Sequence, residues 1–342
     1  MSKRLATARS LSPSPRPKRS RVIHQEQSLE VHASRTTILS WNVETPVPFL
    51  TLPAKKIGSS TSHARARPMH LRELLARDNY PDYLCLQEVR ARQSDADWLV
   101  DLKDAVNGRT RDDGPKYTPY TSLSRSTHGP RHFGVITYAK DPESVSTYRE
   151  VDWDSEGRVV ILEMKSGWAL VNVYALNGSE YMWKDPTGVN LPKTRNERKR
   201  EFNRLLLKEC RAMQTRGLRL VLIGDFNISL EKEDCHPCLR AEYPHTLARK
   251  EFNEKFIPGI NVVDIFRDRH GDRRAYSWFA KGKPQGTDCA RVDYALVERS
   301  LVEKVEEIEY LEDPSERAHS DHAPILLVLR DMNESQSSGP SP

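Results

Sequence analysis

Several polar side chains of this 342-residue chain stand where apolar runs end, which is where a sheet protein exposes its chemistry. Asn42 and Glu44 follow the run 36–41, Gln87 and Glu88 follow 83–86, and Asp225 and Asn227 follow 218–223 and Gly224. Ser320, Asp321 and His322 precede 324–329. Asp293 lies inside an apolar run, between Val292 and Tyr294. A carboxylate buried there is costly unless it is paired or hydrogen-bonded, so it needs a partner. The chemistry that uses such a set is metal-assisted hydrolysis of a phosphodiester. Mg²⁺, with Mn²⁺ as a substitute, takes oxygen ligands and keeps several waters, so one or two carboxylates suffice. Glu88 with Asn42 and Asp321 nearby meets that need, and the neutral Asn42 adds no charge to repel a phosphate. The attacking water must be oriented and lose a proton. An Asp293–His322 pair supplies that, with the carboxylate fixing the imidazole tautomer. Asp225 and Asn227, two residues apart on one turn, are placed to face the reacting phosphorus. One histidine and no cysteine in the set disfavour a zinc site. Taken singly, Gly-Asp-x-Asn is most often an ordinary turn, and a strand-end glutamate is most often a solvated charge. The order of the pieces and their like positions at run ends carry the reading.

Those run ends presuppose strands and helices that bring them together. Residues 36–41, 83–86, 218–223, 292–297 and 324–329 read as buried strands, and 159–164 and 168–175 as a hairpin turning at Ser166-Gly167. Leu71, Leu74 and Leu75 recur at helical spacing ahead of Pro81. Residues 195–213 carry Phe202, Leu205, Leu206 and Cys210 at helical intervals, with Gly217 as the stop. Strands and helices mix over about 295 residues without a polar linker, which predicts one α/β domain.

Seven segments, in this order, resemble the motifs of the endonuclease/exonuclease/phosphatase superfamily, in particular its exonuclease III and AP (abasic-site) endonuclease branch. They are Ser40-Trp41-Asn42-Val43, Leu86-Gln87-Glu88, Glu156-Gly157-Arg158-Val159, Asn172-Val173-Tyr174, Gly224-Asp225-Phe226-Asn227, Arg291-Val292-Asp293-Tyr294 and Ser320-Asp321-His322-Ala323-Pro324. The resemblance covers 36–331 and implies a four-layer α/β sandwich, two packed mixed sheets flanked by helices, with the site at one edge. It implies Glu88 as principal metal ligand beside Asn42, with Asp321 close to the metal. Asp225 then activates or positions the water, Asn227 and Tyr174 contact the phosphate, His322 with Asp293 forms a dyad, and Asn177 matches the Asn after the motif Tyr. The chain departs from the pattern at four places. Glu44 stands for the usual Asp, Ala175-Leu176 for Val/Phe-Pro, His319 for Gly, and Cys289-Ala290 for the aromatic that walls the abasic pocket. Trp278 and Phe279 are the candidates to supply that wall.

Composition bounds the partners. Residues 1–25 hold seven Lys/Arg and no acid, so with a total of +5 the rest of the chain carries a formal −2. Nucleic-acid affinity in the body must therefore come from local patches. One is 191–219, with ten Lys/Arg against three Glu. Its helix is either a solvated face of ion pairs or a track for DNA, with Arg195 and Arg198 placed for contact. Another surrounds Tyr276, Trp278 and Phe279, with Trp278 read either as a nucleotide contact or as core. The segment 178–192, with Tyr181 and Trp183, follows Asn177 and is expected over the mouth of the site. Residues 1–35 and 332–342, rich in Ser and Pro, read as disordered tails. The run Pro17-Lys18-Arg19-Ser20-Arg21 reads as a nuclear import signal, with a mitochondrial presequence as the alternative. No apolar run approaches a membrane span. Five cysteines argue against a disulfide scaffold, and Cys235-His236-Pro237-Cys238 lacks the second pair of a zinc site.

The expectation is thus a monomeric Mg²⁺-dependent hydrolase acting on damaged or 3′-end duplex DNA, as an AP endonuclease or 3′–5′ exonuclease. The alternatives keep the fold and change the substrate: an RNA exonuclease, a phosphotyrosyl-DNA hydrolase, or a phosphoinositide or sphingomyelin phosphodiesterase. A non-catalytic DNA-binding scaffold is the remaining one.

Overall fold

Alternation along the strands builds the layers. On Tyr83–Gln87, Tyr83 and Cys85 face one apolar cluster, and Leu84 and Leu86 face another. On Trp168–Tyr174, Trp168, Leu170 and Tyr174 join the first cluster, while Ala169, Val171 and Val173 join a third. Successive strand side chains point to opposite faces, so sheets covered on both sides read as continuous apolar runs. A computed structural model describes residues 34–50, 70–108, 114–126, 133–185, 187, 192–237, 245–330 and 332. Nearly all of both expected tails lies outside them. At the borders, Arg35 pairs with Arg330 and Met332 is fully buried, so the folded part runs slightly past 36–331.

In chain order the strands are β1 (Arg35–Asn42), β2 (Tyr83–Gln87), β3 (Thr118–Ser122), β4 (Val135–Ala139), β5 (Val145–Glu150), β6 (Val159–Met164), β7 (Trp168–Tyr174) and β8 (Arg219–Asp225). There follow β9 (Cys235–His236), β10 (Val262–Asp264), β11 (Trp278–Phe279), β12 (Cys289–Ala290), β13 (Asp293–Glu298), β14 (Val305–Tyr310) and β15 (Ile325–Arg330). One six-stranded sheet has the order β14-β15-β1-β2-β4-β3, and the other β10-β13-β8-β7-β6-β5. Strands β9, β11 and β12 form a small third sheet beside them. Helices α1 (His70–Arg77) and α2 (Ala96–Asn107) cover the outer face of the first sheet through Leu71, Leu74, Leu75 and Leu102. Helix α3 (Arg195–Thr215) covers the second through Phe202, Leu206, Cys210 and Met213. Its start is set by a capping box, in which Thr194 Oγ1 accepts from Glu197 N and Glu197 returns the bond to Thr194 N. Helix, sheet, sheet, helix is the four-layer sandwich expected from sequence.

Between the sheets the core is apolar except for a polar staple. Gln87 Nε2 donates to Asn172 Oδ1 at 2.8 Å, and Asn172 Nδ2 donates to Ile136 O and Thr137 Oγ1 across to the first sheet. A second buried network ties down β13. Arg291, fully buried, donates from both terminal nitrogens to Asp264 and from Nε to Asp234 at 2.8 Å. Removing one partner of such a group strands a buried charge. Arg291→Ala is therefore expected to cost about 3–5 kcal/mol, measured by urea unfolding, with Asp293 displaced as the strand start loosens. A loss below 1 kcal/mol, on the order of an exposed pair, would show that the network contributes little.

Candidate active site

Strand register explains why residues far apart in sequence meet. Asn42 sits at the end of β1 opposite Gln87, Tyr174 at the end of β7 opposite Asp225, and Asp293 at the start of β13 opposite Asp225. His322 lies three residues before β15, whose first residue pairs with Ser40. Ends from both sheets thus reach one edge. Ser320 Oγ donates to Asn42 O at 2.7 Å, and Trp41 Nε1 donates to His322 O at 3.0 Å, so the Ser-Asp-His and Ser-Trp-Asn segments are stitched together.

The turns that aim these groups carry strain. Glu44, Glu88 and Asn227 all have left-handed backbone, with φ of 58°, 55° and 52°. Asn tolerates this conformation, but for Glu it costs about 1–2 kcal/mol. Gly224 has φ of 133°, and a Cβ there would lie 2.2 Å from Val173 O, so only glycine lets β8 approach β7 ahead of Asp225.

Asn42 is the hub. Its Nδ2 donates to Glu88 Oε1 at 3.1 Å and to Asp225 Oδ2 at 3.0 Å, and lies 3.5 Å from His322 Nε2. Its Oδ1 accepts from Glu44 N at 2.8 Å. Two carboxylates on one side and an N–H on the other fix the amide orientation. Asn42 thus turns its amide donors toward the Glu88 and Asp225 carboxylates and holds them together. Asn227 holds Asp225 from the other side, with N to Oδ1 at 2.8 Å and Nδ2 to Oδ2 at 3.0 Å. His322 Nδ1 and Asp293 Oδ2 are 2.8 Å apart, the expected dyad. Asp321 Oδ2 accepts from Trp278 Nε1 at 3.1 Å, and its Oδ1 lies 4.0 Å from His322 Nε2.

Burial and crowding set the charges. Burial first, then the Asp293 carboxylate, raises Asp225 to about 7. Burial works to lower His322, but Asp293, Asp225 and Asp321 outweigh it and raise the imidazole to about 10. Burial and then Glu88 push the Tyr174 phenol well above its ordinary value, so it stays a donor. Arg158, fully buried on Glu156, lies 4.6 Å over the Tyr174 ring and 4.3 Å over Phe133, and fixes that phenol from behind.

A divalent cation suits these residues. Hard cations take oxygen, and the Glu88 and Asp225 carboxylates converge on one amide in a crowded acidic edge that raises Asp225. Among the described residues, Asp225, Asp293 and His322 also form a set whose potential ligand atoms lie within 4.8 Å of one another. Within it, the 2.8 Å imidazole–carboxylate contact is a hydrogen bond that already engages His322 Nδ1 and Asp293 Oδ2 with each other.

Glu88, Tyr174, Asn177, Asp225, Asn227, Trp278, Asp321 and His322, eight of the twelve sequence candidates, line one cleft of about 460 Å³. Ala290 and Cys289 form part of its wall where the aromatic was missing, and Trp278 lines it while Phe279 does not. Glu44 is turned away to Lys281 Nζ at 2.5 Å. Arg195 donates from Nε to Asn177 O at 3.2 Å and so braces that residue. Arg198 departs from expectation. It is 4% exposed, its guanidinium bonds Glu201 and Trp153 O, and it lies 5.0 Å from the Trp183 ring centroid, so it packs inside. Along the same helix Arg200 pairs with Glu251, and beyond its end Arg216 pairs with Glu163, so much of that basic run forms ion pairs. Within 178–192, Trp183 is buried while Tyr181 and Met182 are 82% and 54% exposed; 186 and 188–191 lie outside the described residues. Cys238 of the Cys-x-x-Cys is also outside them. Sequence reasoning missed Lys199, whose buried Nζ donates to Asn227 O at 2.5 Å and secures the Asp225 turn. It is one of the ten basic residues of 191–219, with nothing in the sequence to mark it out.

The Endonuclease/Exonuclease/phosphatase family matches over residues 39–322. No curated protein matches the chain in sequence. Among solved structures, a 3′ phosphatase, NExo, from Neisseria, bound to a product DNA hairpin, is similar at 22% identity and TM-score 0.59, over 85% of this chain and 98% of that one. An AP endonuclease from Leishmania major is similar at 20% identity and TM-score 0.64, over 86% and 88%. Another from Archaeoglobus fulgidus is similar at 19% and 0.58, over 86% and 99%.

Proposed function

The chain belongs to the Endonuclease/Exonuclease/phosphatase family, and on that premise we propose that it is a divalent-cation-dependent nuclease that hydrolyses phosphodiesters of DNA, at abasic sites or at 3′ ends. The observation that carries the reading is the Asn42 amide, which gathers Glu88, Asp225 and His322 within 3.5 Å of one nitrogen. A protein that only bound DNA would have no use for two carboxylates and an imidazole packed this closely, because the carboxylates repel phosphate. The similar AP endonucleases, and the similar 3′ phosphatase bound to a product DNA hairpin, support the substrate class. Among the described residues no helix is long and apolar enough to cross a membrane, so none supplies a transmembrane anchor toward a lipid substrate.

When bound, Mg²⁺ or Mn²⁺ would supply Lewis-acid polarisation of a phosphoryl oxygen, with Glu88 as the carboxylate to hold it and Asp321 on the same cleft. The protein's own groups do the rest. Asp225, with a pKa of about 7, is poised to accept the proton of an attacking water near neutral pH. His322, raised to about 10, carries a proton and faces the cleft as a cationic donor for a phosphoryl oxygen. Asp293 keeps that charge in place. Tyr174 and Asn177 line the cleft as donors for the remaining oxygens, while Asn227 spends both amide hydrogens on Ala175 O and Asp225 Oδ2 and holds Asp225 in place.

The test is a panel of duplexes carrying an abasic site, a 3′ phosphate or a recessed 3′ end, beside single-stranded DNA and RNA, with Mg²⁺ and with EDTA. Chelator-sensitive cutting of at least one DNA substrate, faster than of RNA, is expected. Cutting of RNA alone would move the substrate, and no cutting of any member would sink the nuclease reading.

A further inference from the structure

Neighbouring residues of a strand face opposite ways, and in β11 this separates two cavities. Trp278 lines the catalytic cleft, and Phe279 lines a second cavity of about 310 Å³ on the other side of Asp321, which borders both. Lys281, Lys283 and Arg317 border the second cavity. Lys281 is paired with Glu44. Among the described residues Lys283 and Arg317 have no ion-pair partner. The Arg317 guanidinium lies 4.0 Å over the Phe279 ring, and its Nε is buried without a hydrogen-bond partner. A donor left in that condition costs free energy that an incoming acceptor restores. Burial holds the Arg317 pKa below its ordinary value even though Glu312, Asp321 and Asp313 act on it through space. His319 points Nε2 at the carbonyls of Val43 and Thr45, at 3.1 and 2.8 Å, so it walls the cavity as a neutral ring. Of the acid at the border, Asp321 has one oxygen held by Trp278.

An unmet buried guanidinium N–H with a free amine beside it fits an oxyanion. The cavity shares a wall with the cleft, and a nucleic-acid strand presents phosphates at short, regular intervals, about 3.4 Å of rise per strand. We infer that this second cavity is a phosphate-binding subsite, in which Arg317 and Lys283 hold a neighbouring phosphate of the strand whose scissile ester lies at His322. The inference rests on the nuclease reading. It makes Arg317 and Lys283 binding residues that act on affinity, outside the catalytic set.

The experiment uses the full chain and duplex DNA in which one phosphate at a time beside the cleavage point is a neutral methylphosphonate. With the natural protein, one flanking position should raise KM by about tenfold, with kcat little changed. Lys283→Gln/Arg317→Gln should show the same loss on unmodified DNA and no further loss at that position. Its binding should also depend less steeply on salt, by about one in the log–log slope for each contact removed. Lys283→Gln alone, on an exposed side chain, should give part of the effect even if replacing Arg317 disturbs Phe279. Identical responses of variant and natural protein to every methylphosphonate overturn the inference. Titration with inorganic phosphate, followed by NMR, separates the sources. Binding of free phosphate that the double variant loses, with no sensitive position on the strand, would make this a free-anion site and overturn the strand assignment. Failure of the natural protein to cut any duplex would count against the nuclease reading. In that case, phosphate binding that the double variant retains would still overturn the subsite.

Discussion

His322→Ala is expected to lower kcat for phosphodiester cleavage by about two to four orders of magnitude, and to lower the thermal unfolding midpoint as well, because it leaves the buried Asp293 carboxylate without its partner. The imidazole is nearly buried and sits between Asp293 on Nδ1 and the cleft on Nε2, so its loss removes a cationic donor that the surrounding carboxylates sustain. The companion variant Asp293→Asn separates two roles. Asp293 is the largest of the influences raising His322, so its neutralisation lowers the imidazole pKa toward the ordinary value. If the protonated ring is the working form, the alkaline limb of the kcat profile must move to lower pH, and activity at pH 8 must fall more than at pH 6. A neutral ring acting as general base predicts the opposite, with Asp293→Asn gaining ground at low pH. Stopped or single-turnover rates over that range decide between them, and a His322→Ala protein retaining full rate would remove the dyad from the mechanism altogether.

The same residues show what a chain can disclose before it is folded. β1, β2, β8, β13 and β15 were legible because each is buried on both faces and writes a short apolar run, ending in a polar group that a run has no packing reason to carry. Asp293 was legible for the converse reason, a carboxylate inside such a run. Convergence was not legible from any single run. It follows from register, from Tyr174 and Asp293 both lying opposite Asp225, and register is a property of pairs of strands. The resemblance to known motifs stood in for that missing information. Arg198 shows where local charge misleads. In a basic run on its helix it looks like a phosphate contact, yet Trp153, Trp183 and Glu201 close over it, and they lie up to 45 residues away or on another turn. Lys199 was hidden by the same run. Asn42 stands at the end of its run as the sequence indicates, but the side its amide donors face follows only from Glu44 N and the two carboxylates around it.

Chelation should abolish turnover, and Glu88→Gln should lower it by about a hundredfold or more at Mg²⁺ levels that saturate the natural protein. The reason is electrostatic. Glu88 and Asp225 are held against a common amide at 3.1 and 3.0 Å, and Asp293 raises Asp225 further, so the folded edge concentrates negative charge that a hard cation relieves. A left-handed Glu88, costly in backbone energy, is retained by a fold that gains something from where it points. Because the cation would bind the folded chain, its effect must also appear without any substrate. Mg²⁺ at about a hundred times its Kd should stabilise the protein by about 2.7 kcal/mol, and Glu88→Gln should lose most of that gain at the same concentration. Asn42→Ala should lose less, since it removes the amide that positions the carboxylates and leaves both charges in place. Equal stabilisation of the natural protein and Glu88→Gln, together with turnover indifferent to EDTA, would assign Glu88 to the architecture of the turn and leave the cleavage chemistry to Asp225 and His322.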